Sequence, residues 1–147
     1  MTIKDKHELE RHVSMAVQEY GIHVVLFRNA IASSIGVNVT DAECLGFLFH
    51  QKQATPKELA RYTGLTSGST TAMLDRLEKA KLIKRQPNPR DRRGTLITIS
   101  DTGAKEIAPY FLELSNAQDN LIAGYPEEEL WVLAEFFQKF TALYEQE

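Results

Sequence analysis

Apolar residues at Val13, Val17, Tyr20, Val24, Phe27, Ile31 and Ile35 follow one another in steps of three or four. This spacing predicts one helix of about six turns with a continuous apolar stripe. Gly36 and Asn38 then break the pattern. Two capping boxes follow. In Thr40-Asp41-Ala42-Glu43 the Thr40 hydroxyl is expected to accept the Glu43 N–H while the Glu43 carboxylate returns to the Thr40 N–H. The helix started there carries Leu45, Leu48 and Phe49 inward. Thr55-Pro56-Lys57-Glu58 repeats the box with proline at the first helical position, opening a short helix that Gly64 ends. Leu65 to Gly68 turns into a third helix, Ser69 to about Lys81, with Thr70, Met73, Leu74 and Leu77 facing inward. Helix, tight glycine-containing turn and helix is the helix-turn-helix arrangement.

Beyond Lys81 the period changes. Leu82 to Gln86 is a short extended run, Pro87 to Gly94 is rich in turn residues, and Thr95 to Ser100 alternates with Ile97 and Ile99 on one face. This predicts a two-stranded hairpin with a basic tip and its prolines in the loop, where no ladder hydrogen bond is lost. Ser100 and Gly103 open another helix to about Tyr125, and Pro126 before Glu127-Glu128-Glu129 starts the last, with three carboxylates at the positive end of its dipole. That final helix lines up Leu130, Leu133, Phe137, Phe140 and Tyr144, and Trp131, Val132, Phe136 and Leu143 widen the stripe. So broad an apolar face has more to bury than a short domain covers. The first and last two helices are therefore expected to form a symmetric dimer interface, with a larger monomeric core as the alternative.

Composition bounds these elements without changing them. The chain has 147 residues, 43% hydrophobic and 25% charged, with no run near the roughly 18 apolar residues of a membrane span. The charged start, MTIKDKHELERH, lacks the apolar stretch of a signal peptide. One cysteine excludes an internal disulfide and fits a reducing compartment, so a cytoplasmic location and no membrane association are expected. The net charge of −3 argues mildly against a nucleic-acid partner, but its distribution does not. Residues 57–98 hold ten basic and four acidic side chains, a balance of +6, whereas the remainder holds seven and sixteen, a balance of −9. Such asymmetry is the footprint of a DNA-binding segment, or of a solvated basic face.

In a helix-turn-helix the start of the second helix meets base edges in the major groove. Here Ser67, Ser69 and Thr71 are the candidates, with Arg76 for phosphate or a guanine edge, and Thr55 joins the candidate DNA contacts. Ser67 and Thr66 also suit capping of that helix. At the hairpin tip Arg90, Arg92 and Arg93 are candidates for a narrow minor groove. Asp91 among them is expected to stabilise the wing by holding an arginine through a charge-assisted bond.

These residues resemble the MarR family of winged-helix regulators. The matching pieces are Met73-Leu74-Asp75-Arg76-Leu77, Asn88-Pro89-Arg90-Asp91-Arg92-Arg93-Gly94, and Ile99-Ser100 followed by Gly103. The family's wing pattern is Asp-x-Arg, five residues, then Leu-Thr, and Asp91, Arg93, Ile99 and Ser100 fill it with conservative changes at the last two. The resemblance implies a mainly α fold with a small β-hairpin wing. It gives a winged helix-turn-helix DNA-binding lobe over residues 36–100 and a helical dimerisation region from residues 1–35 and 101–147, as one unit of 1–147. It further implies a homodimer on double-stranded DNA, Arg93 in the minor groove with Asp91 steadying it, and repression relieved by a small aromatic or phenolic effector. Oxidant-sensing relatives carry a reactive cysteine near the start of the first helix, where this chain has none. Cys44 is expected to be structural, with redox response through it as the alternative.

No cofactor is expected, and His7, His12, His23 and His50 show no metal-site spacing. His23 and His50 are candidates for an effector pocket with Tyr20, Phe27 or Phe47, although ordinary placement is the commoner outcome. Neither a P-loop, a dinucleotide fingerprint nor a nucleophile motif is present, so an enzyme is not expected. A winged helix serving as a protein-interaction module is the remaining alternative.

Overall fold

The computed structural model describes residues 5–145; the outermost residues of the expected 1–147 unit, and the first four of the charged start, lie outside them. Among the described residues six helices and three strands run in the order α1 (Lys6–Ile35), α2 (Val39–Gln51), β1 (Gln53–Ala54), α3 (Pro56–Thr63), α4 (Ser67–Lys79), β2 (Ile83–Asn88), β3 (Asp91–Ile99), α5 (Asp101–Ala123) and α6 (Glu127–Ala142). They divide into two compact units, Met1–Ala108 and Pro109–Glu147, so that α1 groups with the lobe residues. The division falls inside α5 at Pro109, which has no N–H for the helical ladder.

The first unit holds the core. Leu45 and Leu48 of α2, Leu59 of α3, Met73, Leu74 and Leu77 of α4, Ile97 of β3 and Ile107 of α5 are all essentially inaccessible. Each such side chain contributes about 1.5–3 kcal/mol by leaving water. The helical period placed the α4 residues correctly, and Thr70 joins them because its hydroxyl donates to the Thr66 carbonyl at 2.8 Å. In α1 only Ile31 and Ala32 are buried, while Val13 and Tyr20 of the same stripe are exposed. Within the second unit α6 buries nothing, and Trp131 is 72% exposed. Among the described residues no single helix is long and apolar enough to cross a membrane.

Helix ends follow local chemistry with one correction. Gly36 and Gly64 take left-handed φ of 78° and 72° and end α1 and α3. The Thr55–Glu58 box forms as expected: Glu58 N–H donates to Thr55 Oγ1 at 3.2 Å, and Thr55 N–H donates to Glu58 Oε2 at 2.7 Å. The Thr40–Glu43 box does not form. Asn38, two residues earlier and in extended backbone, caps α2 by accepting the Asp41 N–H at 2.8 Å. The Glu43 carboxylate instead meets the Arg28 guanidinium of α1 at 3.1 Å, a charge-assisted contact that a neutral amide cannot match.

The hairpin is also larger than its sequence pattern suggests. The antiparallel sheet has the order β1-β3-β2, with Gln53 and Ala54 pairing Thr98 and Ile97. Pro87 lies within β2, opposite Thr95, rather than in the loop. It is tolerated because β2 is an edge strand. Only Pro89 and Arg90 turn the chain between the paired Asn88 and Asp91.

A compact junction fixes the hairpin base. Lys81 takes φ 61°, a left-handed conformation that costs a non-glycine residue about 1 kcal/mol. Ser100 secures the turn: its N–H donates to the Leu82 carbonyl at 3.0 Å and its hydroxyl donates to the Lys81 carbonyl at 2.6 Å. The same oxygen accepts the Gly103 N–H at 2.9 Å and so starts α5.

Candidate nucleic-acid interface

Thr66 is the residue that caps α4, its Oγ1 accepting the Ser69 N–H at 3.2 Å, which leaves Ser67 inside the first turn. Ser67, Ser69 and Thr71 are all exposed there, within the first one and a half turns of the helix. Their hydroxyls are committed differently. Ser69 Oγ accepts from Thr66 Oγ1 at 3.0 Å and keeps its own proton to donate. Thr71 donates to the Ser67 carbonyl at 3.1 Å and so presents acceptor lone pairs. Among the described residues nothing engages the Ser67 hydroxyl. The exposed N-terminal end of α4 therefore offers both donor and acceptor in a region of positive helix dipole.

Arg76 has an intramolecular partner that the sequence pattern does not show. It is on the outer side of α4, but its Nη2 and Nε donate to Asp41 Oδ1 and Oδ2 at 2.9 and 3.3 Å. Asp41, on α2, has only 5% of its side chain exposed, against 52% for Arg76. A carboxylate so removed from water needs a counter-charge, and the α4 guanidinium supplies it in a bidentate grip. The Asp41 interaction raises the Arg76 pKa further above its ordinary value, first through the hydrogen bonds and then through charge. The structure thus gives Arg76 the task of holding α4 against α2.

At the wing, Asp91, Arg92 and Arg93 open β3 and Arg90 precedes them, all exposed. Asp91 does steady Arg93, though not through its guanidinium: Asp91 Oδ1 accepts the Arg93 backbone N–H at 3.0 Å. Asn88 Oδ1 accepts the Arg90 N–H at 3.0 Å in the same way. Two side-chain acceptors thereby shape the tip backbone. Among the described residues no carboxylate pairs with the Arg90, Arg92 or Arg93 side chains, which leaves these three charges available to a partner. The Thr55 hydroxyl is engaged in the α3 cap.

A concavity of about 450 Å³ lies between α1, α2 and α3, lined by residues that include Val25, Arg28, Val39, Glu43, Tyr62 and Thr63. The Tyr62 ring packs on Phe47 with centroids 4.4 Å apart. Burial, followed by the Glu43 charge, raises the Tyr62 hydroxyl pKa. His23 is exposed, 3.9 Å from Glu19, and the cleft's aromatic member is Tyr62, which sequence reasoning missed. A Tyr at the end of an eight-residue helix carries no sequence signal for this position.

Cys44 is fully buried, and its thiol is pushed up to about 12, mainly by burial and further by the Asp41 charge. The thiolate is the reactive form, so this burial disfavours the redox alternative through Cys44. A shift from about 9 to about 12 leaves about a thousandfold less thiolate at neutral pH. An aromatic disulfide reagent is accordingly expected to label the native protein only on the timescale of unfolding; rapid native labelling would refute this placement. The unfolded chain ionises Cys44 from about pH 9 while the fold keeps it protonated to about 12, so this group withdraws stability as pH rises through that window. Cys44→Ala should lose less stability over the same rise.

Residues 35–94 match the MarR family. The HTH-type transcriptional regulator YcgE of Bacillus subtilis is 35% identical over 146 residues, covering 99% of this chain and 95% of its own. The chain belongs to the MarR family. Solved MarR-type structures agree in fold. A mutant of MarR from E. coli, complexed with operator DNA, superposes with a TM-score of 0.58 at 21% identity, over 93% of this chain and 99% of that one. NadR in complex with 4-hydroxyphenylacetate superposes with a TM-score of 0.65 at 18% identity, over 95% and 97%. This MarR-family chain is thus a DNA-binding transcriptional regulator with a winged helix-turn-helix, and its relatives are regulators rather than enzymes.

Proposed function

We propose that this MarR-family regulator is a cytoplasmic homodimeric repressor that occupies a pseudo-palindromic operator and is released by a small aromatic or phenolic effector. Residues 36–100 read the DNA, and residues 1–35 and 101–147 pair the two copies. Ser67, Ser69 and Thr71 meet the major groove, Ser69 as donor and Thr71 as acceptor, while Thr55 approaches the backbone. Arg93 enters the minor groove, with Arg90 and Arg92 beside it. The observation that carries this reading is the wing tip: three uncommitted guanidinium groups on a turn whose backbone is held by Asp91 and Asn88. Narrow minor grooves concentrate negative potential and favour arginine there.

Pairing is supported by the apolar surface that each unit leaves uncovered. Exposed Tyr20, Val25 and Leu26 on α1, and Trp131, Val132 and Phe137 on α6, are more than an isolated chain would leave in water. The effector is supported by the cleft beside Tyr62 and by NadR having been solved with 4-hydroxyphenylacetate.

A salt titration on a duplex enriched from a random pool by the protein itself tests the reading. Affinity should fall with log salt at a slope of about −0.9 per phosphate contacted, and light scattering at micromolar concentration should return a dimer mass. A flat salt response or a monomer mass would overturn it. 4-Hydroxyphenylacetate heads the panel of phenols and aromatic acids for release; if none frees the duplex, the effector part of the reading goes.

A further inference from the structure

One side chain joins the wing to the recognition helix. Arg85 stands on β2 directly opposite Ile97, which is wholly buried, so with Ile83 it lies on the inner face of the hairpin while Lys84 and Gln86 lie on the outer. From there its guanidinium reaches back to α4. Nη2 donates to Asp75 Oδ1 at 2.8 Å and Nη1 donates to Glu78 Oε1 at 2.7 Å. The two acids are three residues apart on α4 and therefore on one face. Arg85 is the least exposed of the three, with 28% of its side chain accessible against 65% and 45%.

We propose that Arg85 is a positioning residue for DNA recognition, fixing the wing hairpin against α4 so that the helix hydroxyls and Arg93 reach adjacent grooves together. The lever arm shows why this matters. From Arg85 to the tip at Arg90 is five residues, roughly 16 Å at about 3.3 Å each. A swing of about 10° at the base moves the tip by about 3 Å, enough to break any hydrogen bond made there. A planar fork with separate acceptors resists that swing, and a single ammonium charge does not. The same fork offsets two carboxylates on a helix that must approach phosphates. Arg76, gripping Asp41 on the other side of α4, anchors the helix to α2, so the hairpin is tied to a fixed element.

The inference rests on the DNA-binding reading, and its test is arranged to separate the two. Operator affinity and salt slope are measured for wild type, Arg93→Ala, Arg85→Lys, the double variant Asp75→Asn with Glu78→Gln, and the triple combination, on the enriched duplex and on a scrambled duplex of the same length. All are assayed well below their unfolding midpoints, read from thermal melts. Arg85→Lys should bind the enriched duplex about tenfold more weakly with the wild-type salt slope, because the charge stays and the fork is lost. The double variant should weaken by a similar factor although it removes two negative charges near DNA, and the triple variant should be no worse than either parent. Binding to the scrambled duplex should hold or tighten, which a loss of folded protein would not produce.

Equal or tighter binding of the enriched duplex by the double variant would refute the positioning role. So would a salt slope changed by about one in Arg85→Lys, which would make Arg85 a phosphate contact itself. Arg93→Ala that leaves both affinity and slope unchanged would remove the wing reading, and the Arg85 inference with it. Failure of Arg85→Lys alone, with Arg93→Ala behaving as expected, would leave the wing reading standing.

Discussion

Gly103→Ala is expected to destabilise the lobe strongly. A Cβ built at Gly103 would lie 2.2 Å from the Leu82 carbonyl oxygen and 3.0 Å from Ile99 Cγ1. The first of these is backbone and cannot swing aside. That carbonyl already accepts the Ser100 N–H, and Ser100 Oγ bonds both Lys81 and Gly103 itself. A methyl there must push the start of α5 away from the turn between α4 and β2, straining all three hydrogen bonds. Overpacking combined with weakened hydrogen bonds costs about 3 kcal/mol or more. For a chain of this size that lowers Tm by about 6–12 °C. Gly68→Ala is the control: nothing lies within 4 Å of its Cβ, and alanine favours a helix. Its Tm should match or exceed wild type. A Gly103→Ala melt within about 2 °C of wild type would show that the junction yields where the geometry says it does not.

The second large effect concerns the wing. Arg93→Ala should weaken operator binding by about 10- to 100-fold and make the salt slope shallower by about one if the guanidinium also neutralises a phosphate. Asp91→Ala is the more revealing partner. It raises the net positive charge of the tip, so charge alone would tighten DNA binding. Loss of the Asp91 bond to the Arg93 N–H frees the turn instead, and the expected outcome is weaker binding with an unchanged slope. Tighter binding by Asp91→Ala would mean that the tip backbone needs no fixing. Since Asp91 and Arg93 are exposed, neither variant should move Tm by more than about 2 °C, which keeps recognition apart from folding.

Local interactions are legible in the order of residues alone. The inward set of α4, the Thr55–Glu58 box and the glycine ends of α1 and α3 all depend on residues at most four or five positions apart. The helical period and capping chemistry act over that range, so they are written directly in the chain. The tip was legible for the same reason, since Asp91 and Arg93 are two residues apart. Even so, an acid amid arginines gave no way to tell that the Arg93 amide, and not its side chain, is the partner.

The pairing of charges, by contrast, emerges only when the helices pack. Asp41 and Arg76 are 35 residues apart, and nothing in the local pattern marks Asp41 as a carboxylate withdrawn from water. Once α2 and α4 pack, the buried Asp41 carboxylate must find a counter-ion, and the half-exposed Arg76 guanidinium supplies it. Arg85 meets Asp75 and Glu78 only because β2 folds back along α4. Glu43 leaves its own helix cap for Arg28 on α1 because that contact exists only after α1 and α2 meet. The net +6 of residues 57–98 is legible in the sequence, as the footprint of a DNA-binding segment or of a solvated basic face. Which of its arginines pair with carboxylates inside the lobe and which stay unpaired at the wing tip depends on contacts that exist only in a packed chain.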